Sequence, residues 1–554
     1  MSKKFLWPLA LLALSPAVLA QQPPGAGGQL LQIPPTPILP RAAPEFRIEQ
    51  RAAPADAPVD QVRIVVRTLR VTGASIFPEA ELIALTGFRP GSELALSDLQ
   101  AMALRITDHY RHHGYFVAQA FVPAQEIKDN AVSIAVSEGR YGAVTLRNAT
   151  KLSDRVASGP LEGLRSGDVI SSDPLETRLL LLSDIPGVNV KSTLVPGTSL
   201  GTSDLLVDVT PGQRVTGSID ADNGGSRYTG AYRLGATVNL NNPLGLGDVA
   251  SLRVLTAGEG LNYARAAYQV QVGRAQVGVA YSILDYSLGR EFEGLDANGT
   301  AKIATVFGRY PIVRSRNDNL YAQLAYDAKS FHDKVDSIPS VTDRKSGVLM
   351  ASLYGDHRDS LGDGGLNSFG LSWSSGKLDI ETPAALTADA ATARTNGHFN
   401  KLSFNAMRLQ SLGGPFSLYG AVSGQFASKN LDLSEKMELG GMYAVRAYPE
   451  GEAYADQGVL VTLEARMDLP KFATLPGQMQ LVAFVDAGQV RLNKDPWTTG
   501  DNRRTLKGAG LGVNWSDPGN FMVRASYARK VGHEVATSAP DKSGRFWLQL
   551  VKYF

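Results

Sequence analysis

Tyr232-Arg233-Leu234-Gly235-Ala236-Thr237-Val238-Asn239-Leu240 sets an apolar side chain at every second position, with a polar or small one between. Successive side chains of a strand point to opposite faces, so this stretch has one face that is apolar along its length. The same period runs through Ala264-Arg265-Ala266-Ala267-Tyr268-Gln269-Val270-Gln271-Val272 and again from Val461 to Asp468. Segments of this kind recur from Gln213 to the end of the chain, separated by Gly, Asn, Asp and Pro. Roughly sixteen of them, each about ten residues long, predict a transmembrane antiparallel β-barrel that returns the chain to the periplasmic side. A soluble sandwich also alternates, but it does not hold so many strands.

Composition agrees with an envelope protein. Charged residues make up 19% of the 554, glycine is abundant at 56, and cysteine is absent, which removes disulfides, thiolate catalysis and cysteine-ligated zinc. A net charge of +2 supplies no field for nucleic acid. Lys3 and Lys4 precede an apolar run from Phe5 to Ala20 that ends Val18-Leu19-Ala20. That order predicts a secretory signal peptide over residues 1–20, because the run is shorter than the roughly 20 apolar residues of a spanning helix. Residues 21–61, rich in Pro and Ala, read as an extended linker with a short helix near Gly28–Ile33 that Pro34 stops.

Between linker and barrel the texture becomes α+β. Val62–Val71 reads as a strand, and Pro78 opens a helix that Gly87 ends. Ser97 is the expected cap of a second helix reaching about His113, with Leu99, Met102, Ile106 and Tyr110 at helical spacing. Tyr115–Val122 and Ala131–Ser137 follow as strands. The order recurs with a strand at Tyr141–Asn148, a helix at Pro174–Asp184 and strands at Val188–Leu194 and Leu205–Thr210. Two tandem modules, 62–139 and 140–212, therefore precede a barrel over 213–554, and they look like POTRA domains, periplasmic receivers of unfolded polypeptide.

No Walker sequence and no H-E-x-x-H occur. His109, His112 and His113 end a helix without a carboxylate cluster, so no metal site is expected. Asp173, Glu176 and Asp184 read as a solvated surface. Gly508, Gly510 and Gly512 alternate with Ala509, Leu511 and Val513 as a strand whose lumen side is bare. No enzyme activity and no cofactor are expected.

One constellation stands out. About thirty residues separate the strands Phe416–Phe426 and Val459–Asp468, and a structureless loop that long is usually functional. It carries Leu439-Gly440-Gly441-Met442-Tyr443-Ala444-Val445-Arg446-Ala447-Tyr448, while the next strand but one carries Phe484-Val485-Asp486-Ala487-Gly488. By parity Leu481, Ala483 and Val485 face lipid, so Phe484, Asp486 and Gly488 face the lumen. A loop folded inward over 438–458 brings Arg446 to Asp486 as a bidentate partner, with glycines allowing close approach. In a hydrated lumen such a pair is worth about 0–1 kcal/mol.

Two POTRA-like modules, the barrel, this loop and F-x-D-x-G together resemble the two-partner secretion transporters (TpsB), a FhaC/ShlB-like family of the POTRA-barrel outer-membrane superfamily. The turn Asn242-Pro243-Leu244-Gly245-Leu246-Gly247-Asp248 is also similar to that family. The resemblance implies that Arg446 meets Asp486 inside the barrel, supported by Gly440, Gly441, Val445, Tyr448, Phe484 and Gly488. It implies an outer-membrane translocator, with its POTRA domains in the periplasm, that exports a large TpsA-type adhesin or haemolysin. Ala447 stands where the motif has Gly, so a bend different from the family's is expected at the loop tip. Phe554, a terminal aromatic, resembles the mark by which the barrel-assembly machinery takes its clients, and outer-membrane lipid is the other expected contact. The rival readings are an insertase of the same superfamily, whose members usually carry more POTRA modules, and a passive porin or receptor barrel, which needs no such receptor.

Overall fold

The computed structural model describes residues 25–37, 45–48, 62–199 and 201–554; the expected signal peptide and most of the linker lie outside the described residues. The first module pairs Thr68–Thr72 in parallel with Ala131–Ser137, which also holds the short edge strand Gln119–Phe121. That edge is much shorter than the expected Tyr115–Val122. The expected strand Val62–Val71 divides into Arg63–Val66 and Thr68–Thr72, and Arg63–Val66 forms its own ribbon with Ser92–Ala95. Helix Leu96–His112 buries Leu99, Ala103, Ile106, Thr107 and Tyr110 against the sheet. Ser97 is not its cap. Ala95 takes that position, and the Asp98 carboxylate reaches back to accept the Ala95 N–H at 2.9 Å.

The second module packs helix Ser172–Ser183 on a sheet of Val188–Pro196, Thr202–Pro211 and Arg140–Asn148, around Tyr141, Leu175, Leu179, Leu182, Val190 and Val207. A fourth strand comes from the stretch read as linker: Glu45–Ile48 pairs in parallel with the outer edge, Glu45 opposite Lys191 and Ile48 opposite Leu194. The junction of the modules is tied by Glu138, which is 4% exposed. Its carboxylate accepts from the Ser75 and Ile76 N–H groups at 2.5 and 2.8 Å and from the Tyr110 hydroxyl at 3.0 Å, and it pairs with Arg140 at 3.1 Å. Burial alone pushes this carboxyl up; the hydrogen bonds from Ser75, Ile76 and Tyr110 outweigh burial and hold it below the usual carboxylate range.

Sixteen antiparallel strands then close a barrel, from Val215–Asp222 to Gly544–Tyr553, each next to its sequence neighbour. Closure pairs Ser218 with Tyr553 through Asp222 with Gln549. The alternation sorts as expected: Leu234, Val238, Leu463 and Val485 are exposed on the outer, lipid-facing wall, while Arg233, Glu464 and Asp486 are buried on the lumen side. Among the described residues no helix is long and apolar enough to cross a membrane. Phe554 extends the closing seam by exchanging backbone hydrogen bonds with Gly217 at 2.9 and 3.1 Å.

Asp173 is exposed, as a solvated surface requires, but Glu176 and Asp184 are not solvated. Arg314, the last residue of barrel strand Ala297–Arg314, donates Nε and Nη2 to Asp184 at 2.7 and 3.0 Å, and Glu176 pairs with Arg316 in the turn that follows. Thr177 donates to the Arg314 carbonyl at 3.0 Å, and the Ser153 N–H to the Gly245 carbonyl at 2.8 Å. The second module thus docks on the periplasmic rim, and the Asn242–Asp248 turn is part of the seat.

Candidate functional site in the barrel lumen

The chain between Phe416–Ala427 and Gln457–Asp468 turns into the lumen and closes on itself through a small ribbon, Met437–Leu439 against Ala453–Ala455. Gly440 and Gly441 make the turn possible. Their φ values are +120° and +90°, and a Cβ on Gly440 would stand 2.6 Å from the Pro449 carbonyl oxygen. Val445, Ala447 and Tyr448 are fully buried and pack with Phe484, Leu506 and Ala528 of the wall. Gly488 leaves the space that Leu439 fills. The bare lumen side of the glycine strand has the same use: Gly508 faces Ala447, and Gly510 faces the Phe484 ring.

Arg446 reaches the wall through several contacts. Nε donates to Asp486 Oδ2 at 2.9 Å, Nη2 to Oδ1 at 2.8 Å, and the Arg446 N–H to Oδ2 at 3.1 Å. Its guanidinium carbon lies 3.4 Å from the centre of the Phe484 ring. Nη1 meets Glu464 Oε1 at 2.9 Å, so one cation bridges two carboxylates on neighbouring strands. Glu464 also accepts from Arg466, and Asp486 from the Thr462 hydroxyl at 3.1 Å. The Trp547 indole N–H holds the Arg446 carbonyl at 2.7 Å.

One expectation needs correction. The pair is not in a wet, weakly coupled setting: the Arg446 and Asp486 side chains are 15% and 0% exposed. Loop and wall enclose Asp486 completely and leave Arg446 at the edge of a lumen cavity, which moves the pair toward the buried regime of ion pairing. Ala447 is not among the residues with positive φ. Its methyl is received by Gly508, where an added Cβ would come within 2.6 Å of it.

Glu464 was within reach of parity, being lumen-facing one strand from Asp486, with Thr462 directly opposite Asp486 in register. The rest of the loop's anchorage was not. Arg344 spans Asp333 and Asp432, Lys329 and Lys401 share Glu435, Lys436 meets Asp456 at 2.7 Å, and Arg504 meets Glu452 at 2.8 Å. The short helix Ala26–Leu31 lies in the same lumen, its first N–H donated to Asp333 at 2.8 Å and the Gln32 carbonyl held by Arg233 at 2.6 Å. Gly27 and Gly28 bring its backbone against Ser434 and Leu433 of the loop.

Among the described residues no group of three potential metal ligands exists, and His109 lies 3.4 Å from Glu81 beside the rings of Phe77 and His113. Gly197-Thr198-Ser199-Leu200-Gly201 has the spacing of a hydrolase elbow, but it joins two antiparallel strands where an elbow needs a strand followed by a helix.

A closed sixteen-strand barrel with a loop pinned inside it and POTRA-type modules on its periplasmic rim defines the class of POTRA-barrel outer-membrane transporters. Residues 201–515 match the model of the haemolysin secretion/activation proteins ShlB/FhaC/HecB, and residues 64–139 match the ShlB-type POTRA domain. The heme/hemopexin transporter protein HuxB of Haemophilus influenzae is 30% identical over 469 residues, covering 84% of this chain and 82% of that protein. The outer membrane transporter CdiB of Dickeya dadantii is 24% identical over 495 residues, covering 84% and 83%. Among solved structures, CdiB from Escherichia coli superposes with a TM-score of 0.68 at 20% identity over 91% of this chain and 92% of that one. The chain belongs to the ShlB/FhaC/HecB family, the outer-membrane translocators of two-partner secretion.

Proposed function

We propose that this translocator captures one large secreted partner, an adhesin or haemolysin of the TpsA type, in the periplasm and passes it outward through the barrel. What carries the reading is a juxtaposition. Modules seated on the periplasmic rim by Asp184 and Arg314 feed a lumen shut by a loop that Arg446 pins to Asp486 and Glu464. Capture proceeds by strand addition, in which a sheet edge pairs with an extended chain. The short strand Gln119–Phe121 offers such an edge, with Phe121 and Ile127 exposed beside it. Arg446 and Asp486, with Gly440, Gly441, Val445, Tyr448, Phe484 and Gly488, set the loop where cargo must pass. Lipid contacts the outer wall, and the barrel-assembly machinery inserts the barrel from the strand that ends at Phe554.

Deletion of residues 62–139 or 140–212 tests the receptor role. Either deletion should abolish export of the partner while the barrel stays inserted, as checked by protease protection. Normal export by a barrel lacking both modules would refute it.

A further inference from the structure

The last outer loop, residues 531–543, does not simply cap the strands it joins. Ala536 and Ser538, within it, are 7% and 3% exposed, and Ala536 packs into the cluster of Val445 and Tyr448. What draws them in is Glu452, on the return limb of the in-folded loop, whose side chain is 0% exposed. Its carboxylate accepts the consecutive N–H groups of Thr537 (2.9 and 3.0 Å) and Ser538 (3.1 Å) and both of their hydroxyls at 3.0 Å. Arg504, on the wall, donates to the same carboxylate at 2.8 Å, to the Val535 carbonyl at 3.0 Å and to the Thr537 hydroxyl at 3.1 Å. Two further ties come from the in-folded loop: the Tyr448 hydroxyl donates to the Glu534 carbonyl at 3.2 Å, and the Glu450 carbonyl, 3.1 Å from the Ser538 hydroxyl, shares that single proton with Glu452.

We infer that Glu452 is a clasp that holds the outer loop 531–543 down over the exit, so that the two loops form one closure and open together. Successive backbone N–H groups converging on an anion make a concave donor site, and bonds to a charged acceptor are the strong ones. A neutral residue at 452 offers fewer acceptors to these donors. The inference rests on reading the in-folded loop as the internal closure, but it assigns a second layer and a residue outside the Arg446 motif. Any displacement that carries Glu452 away from Arg504 leaves Thr537 and Ser538 without their acceptor.

Because the chain has no native cysteine, thiol labelling reads the outer loop directly and needs no cargo. Ala536→Cys places a thiol at the buried position, and Val535→Cys, at a residue that is 56% exposed, is the accessible control. A membrane-impermeant maleimide added to intact cells should label Val535→Cys fast and Ala536→Cys slowly. Adding Glu452→Gln should raise the Ala536→Cys rate at least about tenfold, since charge-assisted bonds are lost, with the barrel still heat-modifiable. The pair Thr537→Val with Ser538→Ala leaves Glu452 and Arg504 intact and should also raise it; that pair decides the matter if Glu452→Gln fails to assemble. Equal Ala536→Cys rates in all backgrounds, or a rate matching the control in the unaltered one, would overturn the clasp. Loss of export in Arg446→Ala is a separate readout, so the clasp can fail while the internal closure stands.

Discussion

Arg446→Ala removes the side chain that joins the loop tip to both Asp486 and Glu464. Breaking one partner of a buried pair costs roughly 3–5 kcal/mol, because the other charge is left buried. Here the residue of that charge is partly met. Asp486 keeps the Thr462 hydroxyl and the backbone N–H at 446, and Glu464 keeps Arg466. The lower end, about 3 kcal/mol, is therefore expected for the tip. That loss does not unfold the barrel, because Arg344, Lys329, Lys401, Lys436 and Arg504 still anchor the loop elsewhere. The expected phenotype is a folded, membrane-inserted barrel with a sharp fall in secreted partner, measured as partner in the medium against heat-modifiable barrel in the membrane. Asp486→Ala should behave much the same, and the double variant little worse than either, since one shared interaction is removed. Arg446→Lys should rescue only in part, because an ammonium cannot make the planar two-bond contact and reach Glu464 as well. Full secretion by Arg446→Ala at normal membrane abundance would refute the reasoning.

The protein should require detergent and shift its electrophoretic mobility on heating; a soluble monomer obtained without detergent would contradict the barrel. Glu138 has a folded value held below its unfolded one, so its contribution is present above the ordinary carboxylate range and lost as pH falls through the lower folded value. The thermal stability of the periplasmic modules should thus exceed that of Glu138→Gln at neutral pH, and the gap should narrow below about pH 4. Asp184→Ala and Arg314→Ala should each speed proteolysis between the second module and the barrel, with a coupling of up to about 1 kcal/mol in the double-variant cycle, as the pair is only partly buried.

The barrel was legible because period-two alternation is written into each strand separately, as Leu234, Val238 and Val485 show by facing out. The loop and its wall were legible for a related reason: parity alone puts Asp486 on the lumen side. Burial of the Arg446 bridge was not, since it depends on loop packing that no local pattern encodes. The seat of the second module depends on Asp184 meeting Arg314, far apart in sequence, and a lone carboxylate on a helix reads as solvated until its partner is placed. Glu45–Ile48 is four residues among prolines, too short for periodicity to register, and its pairing comes from the edge that receives it. At helix Leu96–His112 the misplaced cap has a local cause: Ser97 and Asp98 are both capping types, and only the backbone turn decides which one reaches Ala95.

The contact between Ala447 and Gly508 has a consequence for how such chains diverge. The space between loop and wall accommodates one methyl there, and this chain carries it on the loop. A lineage with glycine at the loop position has that space free, so its wall can drift to alanine, while this lineage is bound to glycine at 508 for as long as it keeps Ala447. The two positions should therefore change in step across related sequences, in the order that never places a side chain on both at once.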